Sequence, residues 1–187
     1  MDLDIEPVSG CPYTGACCPD ANDEEAAVAE PTAQSSIEIA APPELVYELV
    51  SDVPNLPTWA AEIQRCTWVD GATGPAVGAK FKGHNEHKKR KWGSLNVVTA
   101  ADPGREFAFQ VRIAGAPSAL WRYRIEPTDG GCRVTESTRR LTPRPVALAV
   151  NRLFLGIRDR DDHNQANIER TLARLKEHAE ALAARRA

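Results

Sequence analysis

WRYRIEPTDGGCRVTES, residues 121–137, has the pattern of two short strands around a tight turn. Trp121, Tyr123 and Ile125 alternate with Arg122, Arg124 and Glu126, the period of two expected of a half-buried strand. Asp129-Gly130 is a turn dipeptide, and Cys132 and Val134 resume the apolar face beyond it. The same parity puts Glu136 and Thr138 on that face. If the turn has two residues, cross-strand partner numbers add to 259, so Ile125 faces Val134, Tyr123 faces Glu136 and Trp121 faces Thr138. Opposed side chains sit within about 5.5 Å at Cβ. A buried carboxylate must find a partner or take up a proton. Three solutions stay open for Glu136: a basic or hydroxyl side chain, water at a pocket mouth, or a donor on a ligand.

Working back towards the N-terminus, strand signals follow one another. Arg65–Val69 ends at the turn pair Asp70-Gly71. Ala79–Glu86 and Lys91–Ala100 flank the basic run HKKRK, and Arg105–Arg112 follows the turn Asp102-Pro103-Gly104. Strands at this spacing form an antiparallel meander. Ahead of them, Ser36–Ala40 alternates as a first strand. Pro42 and Pro43 then suit a helix entry, where a missing N–H is harmless. Leu45, Val46, Leu49 and Val50 recur at helical spacing until Pro54 and Pro57, and Thr58–Ile63 is expected to form a second short helix carrying Trp59.

After the hairpin the period changes. An apolar helical stretch covers Val146–Ile157, with Gly156 as a kink point. Ile168, Leu172, Leu175, Ala179 and Leu182 then lie at steps of 4, 3, 4 and 3, one stripe on a long helix, with Arg170, Arg174, Lys176, Glu177 and Glu180 opposite. The expected class is α+β: a curved antiparallel sheet wrapped around a long C-terminal helix, with two short helices after the first strand. One helix rarely fills the concave side of a long sheet, so a pocket between them is expected.

Composition bounds the rest. The 187 residues suffice for one sizeable core, with 42% hydrophobic and 26% charged residues, as in soluble globular proteins. No apolar run approaches the roughly 20 residues of a membrane span, and the start lacks a basic–apolar secretory pattern. A cytoplasmic location is therefore expected. The net charge of −3 is unevenly spread: residues 1–64 carry 13 acids and no bases, while residues 65–187 carry 13 acids and 23 bases, a balance of +10. Residues 1–35 have few large apolar side chains and read as an acidic, mostly disordered tail, leaving 36–185 as the folded domain. The tail holds Cys11, Cys17 and Cys18, but no local fourth ligand completes a zinc set, and no metal or other cofactor is expected. Cys66 and Cys132 fall inside strands as small core residues. His84 and His87 lie on strand and loop without a nearby third ligand, and neither His163 nor His178 has a catalytic partner at sequence range. One basic loop without interleaved aromatics is poor support for nucleic acid. It faces water, touches an anionic membrane transiently, or meets the acidic tail.

The segments in order carry a resemblance. IEIAAPPELVYELVSDVPNLPTW, VGAKFKG, ADPGREFAFQV, WRYRIEPTDGGCRVTES and IERTLARLKEHAE together resemble the START-like (SRPBCC, Bet v 1-like or helix-grip) superfamily. More narrowly, they look like its bacterial polyketide cyclase/dehydrase and lipid-transport group. The likeness covers residues 36–182. It implies a fold that holds a hydrophobic or amphipathic small molecule. It brings no shared catalytic motif, so fold does not settle function.

Strand parity, with aromatics inward, selects the lining: Phe81, Gly83 and Asn85; Trp92, Ser94, Asn96 and Val98; Phe107, Phe109 and Val111; Cys66 and Trp68; and Trp121, Tyr123, Glu136 and Thr138. A bulge would reverse parity beyond it. The candidate ligand contacts are Phe81, Asn85, Trp92, Asn96, Phe107, Phe109, Trp121, Tyr123 and Glu136. The competing reading packs these aromatics against Leu172 and Leu175. Binding of a hydrophobic ligand, for transport or sensing, ranks first. The alternative is a cyclase, aromatase or dehydratase in which Tyr123, Glu136 or Asn96 polarises a carbonyl or moves a proton. A third reading makes the acidic tail and basic body the parts of an interaction protein.

Overall fold

The computed structural model describes residues 30–60, 62–87, 90–150 and 160–186. The alternating segments form seven strands: β1 (Ala33–Ile39), β2 (Ile63–Val69), β3 (Lys80–His87), β4 (Arg90–Asp102), β5 (Glu106–Ile113), β6 (Ala116–Thr128) and β7 (Gly131–Arg140). They make one antiparallel sheet in the order β1-β7-β6-β5-β4-β3-β2. Strands β2 to β7 are a meander, and the first strand closes on the last. Helix α1 (Pro43–Ser51) follows β1, α2 (Arg144–Val150) follows β7, and α3 (Arg160–Arg186) ends the chain. Cys11, Cys17 and Cys18, most of the tail, the centre of the basic run and residues 151–157 of the apolar stretch lie outside the described residues.

The β6–β7 register is the expected one, with Ile125 opposite Val134, Tyr123 opposite Glu136 and Trp121 opposite Thr138. The left-handed residue of this hairpin is Gly131 (φ 149°), not Gly130. A Cβ on Gly131 would come 2.1 Å from the Ile39 carbonyl oxygen, so glycine is needed where β7 starts against β1. A bulge between Val98 and Ala100 shifts the pairing of β4 with β5 only beyond the inward residues Trp92 to Val98, whose parity holds.

The second short helix differs from expectation. Helix α1 stops at Ser51, and a 3-10 turn spans Val53–Thr58, with Trp59 at its end and strand from Ile63. Both prolines sit inside this turn, because so short a segment asks for few backbone N–H donors. Val53, Leu56 and Trp59 are buried, and the Trp59 ring lies 5.7 Å from that of His178 on α3.

The stripe on α3 is the floor of the core. Ile168, Leu172, Leu175 and Ala179 are buried against Val46, Val50, Phe107, Ile125 and Val134. Side chains of α3 also fasten it along β1. The Gln165 Oε1 accepts from the Gln34 N–H (3.1 Å) and the Glu180 Oε1 from the Ala40 N–H (2.9 Å), while the Lys176 Nζ donates to the Glu38 carbonyl (2.7 Å). Lys176 also pairs with Glu180 at 2.6 Å, which holds the Glu180 carboxyl below its ordinary range. Among the described residues, no helix is long and apolar enough to cross a membrane.

Candidate functional site

Between the concave face of the sheet and the first turns of α3 lies a cavity of about 610 Å³, within the usual range of small-molecule sites. Its aromatic wall comes from four strands. Phe81 on β3, Trp92 on β4, Phe109 on β5, and Trp121 and Tyr123 on β6 all line it. Phe81 meets Phe109 edge-on at 5.2 Å and Trp68 at 5.6 Å, so each ring is fixed by its neighbour. Asn85, Ser94 and Asn96 form a polar strip. Gly83 makes room for it: a Cβ there would lie 2.9 Å from the Ser94 Oγ and 3.3 Å from the Asn96 Nδ2. The Asn96 amide donates to the Phe81 carbonyl and the Ser94 hydroxyl, both at 3.3 Å.

Eight of the nine residues chosen from sequence line this cavity; Phe107 does not. Its parity is inward, but it is fully buried behind Phe109, ring centroids 5.8 Å apart, and belongs to the core. Alternation gives the face of a residue but not its position along the cavity axis. Cys66 lines the cavity, and burial pushes its thiol up to about 12, so it stays protonated and unreactive.

Glu136 is satisfied on one side only. The Tyr123 hydroxyl donates to Glu136 Oε1 at 2.8 Å. The opposed ring therefore does reach the carboxyl, and the hydroxyl-partner solution is the one the fold adopts. Glu136 Oε2, Thr138 Oγ1 and Asn164 Oδ1 are buried without a hydrogen-bond partner among the described residues, and all three side chains face the cavity. Burial pushes the Glu136 carboxyl from 4.5 up to about 8, against the opposing pull of the Tyr123 bond. Burial and the adjacent Glu136 drive the Tyr123 phenol well above its ordinary value. At neutral pH the pair is thus a carboxylic acid beside a phenol, both uncharged.

The helical side of the site escaped the sequence reading. Asn164, Asn167, Ile168 and Thr171 line the cavity from α3. Their signal was present: Asn164 and Thr171 lie four before and three after Ile168, on the buried stripe itself. At the outer end, Arg140 on β7 pairs with Asp161 (2.7 and 2.5 Å). Arg160 donates to the Glu62 carboxylate at 2.7 and 3.3 Å and stacks 5.5 Å from the Trp92 ring centre, and His163 also contacts Glu62. These contacts tie β7, β4 and the residue just before β2 to the start of α3. They join residues about 21 to 101 positions apart, which no local pattern reports. Val146 and Ala147 of α2 complete the rim, with Val146 and Leu148 exposed.

A seven-stranded sheet gripping one long helix around an aromatic cavity defines the helix-grip class. Within it, residues 30–180 match the family model described as polyketide cyclase / dehydrase and lipid transport, and the chain belongs to that family. A polyketide-cyclase-like protein of Corynebacterium glutamicum, solved by NMR, is 31% identical over 79% of this chain and 90% of its own, with a TM-score of 0.53. The di-domain aromatase/cyclase of the steffimycin biosynthetic pathway superposes at TM-score 0.63 with 14% identity, over 81% of this chain and 51% of that one. A Thermus thermophilus protein superposes at 0.60 with 19% identity, over 81% and 98%. The last two likenesses concern the fold. No curated protein sequence matches significantly.

Proposed function

We propose that the chain binds a hydrophobic or amphipathic small molecule in the cavity between the sheet and α3, as a soluble cytoplasmic carrier or sensor working without a cofactor and without nucleic acid. One observation carries the reading: an aromatic cavity of about 610 Å³ contains three buried polar atoms with no partner among the described residues. An unpaired buried polar group costs about 1–3 kcal/mol, and a ligand that bonds to it recovers that. A core selected only for stability would replace Thr138 or Asn164 by an apolar residue of similar size. Phe81, Asn85, Trp92, Asn96, Phe109, Trp121, Tyr123 and Glu136 are the proposed contacts, with Phe107 acting behind them. Native mass spectrometry of the purified protein, followed by organic extraction, is expected to show a bound molecule or restored binding of a neutral hydrophobic dye after extraction. A protein that carries nothing and binds no dye would refute the reading.

The Tyr123–Glu136 pair favours a second reading, a cyclase or dehydratase on a polyketide-like chain. In that reading the uncharged Glu136 presents a proton to a substrate carbonyl oxygen, and Tyr123 holds the carboxyl in place. Turnover that survives unchanged in Glu136→Gln and Tyr123→Phe would exclude both residues from the chemistry.

A further inference from the structure

The polar atoms of the cavity are not scattered. Strand β7 climbs towards the outer end through Glu136, Thr138 and Arg140, alternate residues on one face. Helix α3 descends from the same end through Asp161, Asn164 and Thr171. Helix α3 runs alongside β1 in the same direction, Gln165 at Gln34 and Lys176 at Glu38, and β1 pairs antiparallel with β7, so α3 and β7 run past each other in opposite directions. The Arg140–Asp161 ion pair joins the outermost positions. One step inward, Thr138 (1% exposed) and Asn164 (7%) both carry oxygens without partners among the described residues, and a further step inward lies Glu136 (3%) with its free Oε2. All three face the cavity.

Resting on the ligand-binding reading above, we propose that this inner set is a hydroxyl subsite: the buried end of the ligand carries an alcohol or phenol group, held by Glu136, Thr138 and Asn164. The argument is one of donor and acceptor matching. Tyr123 donates to Glu136 Oε1, so an uncharged Glu136 presents its proton from Oε2. Asn164 Oδ1 can only accept, and the Thr138 hydroxyl does either. A ligand hydroxyl accepts from Glu136 and donates to Asn164 or Thr138 in one placement. A ketone only accepts and leaves the Asn164 oxygen unmet. A carboxylate brings a second ionisable group beside Glu136, and the arginines that line the cavity, Arg140 and Arg160, are already engaged by Asp161 and Glu62. A hydrocarbon leaves all three oxygens unmet.

A matched ligand series tests this. The full-length, solvent-extracted protein is loaded at pH 7 with the neutral dye N-phenyl-1-naphthylamine. Displacement is then measured with 1-(2-naphthyl)ethanol, 2-acetylnaphthalene, 2-ethylnaphthalene and 2-naphthoate. The alcohol is expected to bind about tenfold tighter than the ketone, in line with one further hydrogen bond. The ketone should match or exceed the hydrocarbon, and the carboxylate should bind weakest. Thr138→Val and Asn164→Leu, checked for folding by circular dichroism, should each shrink the ratio of alcohol to hydrocarbon affinity towards one. An alcohol no tighter than the hydrocarbon, a preferred carboxylate, or an alcohol preference intact in the double variant overturns the hydroxyl subsite while ligand binding itself stands. Failure of the dye and all four compounds to bind overturns the ligand-binding reading as well.

Discussion

The two halves of α3 face the same sheet with the same stripe and do different work. From Leu172 onward the stripe is Leu172, Leu175 and Ala179, buried to 1% or less, in contact with the apolar cluster of β1, α1 and the 3-10 turn. Before it, the stripe carries Asn164, Asn167 and Thr171 around Ile168, and the space opposite is open. Both halves belong to one continuous helix and differ in side-chain chemistry. Where the stripe is apolar the sheet closes on it, and where it is polar the sheet stands off and leaves a lined cavity. The packed core is concentrated in one half and the cavity in the other.

The largest expected effect belongs to the closed half. Leu175→Ala should lower the unfolding free energy by about 2–5 kcal/mol in a urea titration, whereas Asn164→Ala should change it by far less. Equal losses would break the division. Next comes the pH response of the open half. Folded Glu136 keeps its proton up to about 8, while the unfolded group releases it near 4.5. The native state therefore binds more protons in that window, and stability should fall as pH rises through it, by about 1.4 kcal/mol per unit at the steepest. Glu136→Gln should flatten this slope in urea titrations at several pH values; an unchanged slope would show that Glu136 is ionised in the fold. A smaller gain is expected from Asn164→Leu, about 1 kcal/mol of added stability from removing an unpartnered oxygen, read as a raised Tm. Smallest is Arg140→Gln, which breaks an ion pair whose side chains are 25% and 28% exposed and should cost about 1 kcal/mol, with its clearest readout a faster release of bound dye.

The closed half was the more legible in sequence, because apolar periodicity reports burial directly. The antiparallel meander, the inward parity of β3 to β6 and the pairing of Tyr123 with Glu136 all followed from alternation and turn dipeptides, whereas the closing of β1 on β7 did not. The limits have equally definite causes. Phe107 and Phe109 share a parity, and only the sheet's curvature puts one in the core and the other on the cavity. Asn164 and Thr171 lie on the helical stripe, yet a reading that follows apolar residues stops at Ile168. Glu62, Arg140, Arg160 and Asp161 meet only after the chain has folded around the cavity. The 3-10 turn was displaced because Pro54 and Pro57 read as terminators, although so short a turn accommodates both.

The fastening of α3 along β1 has a consequence beyond holding the helix in place. An outermost strand normally presents bare N–H and C=O groups that can pair with a strand from another molecule. Here the Gln34 and Ala40 N–H groups and the Glu38 carbonyl are already taken by Gln165, Glu180 and Lys176. The helix thus acts as a sealing strip for that margin of the sheet. Intermolecular strand addition at β1 would first have to strip three long polar side chains from it.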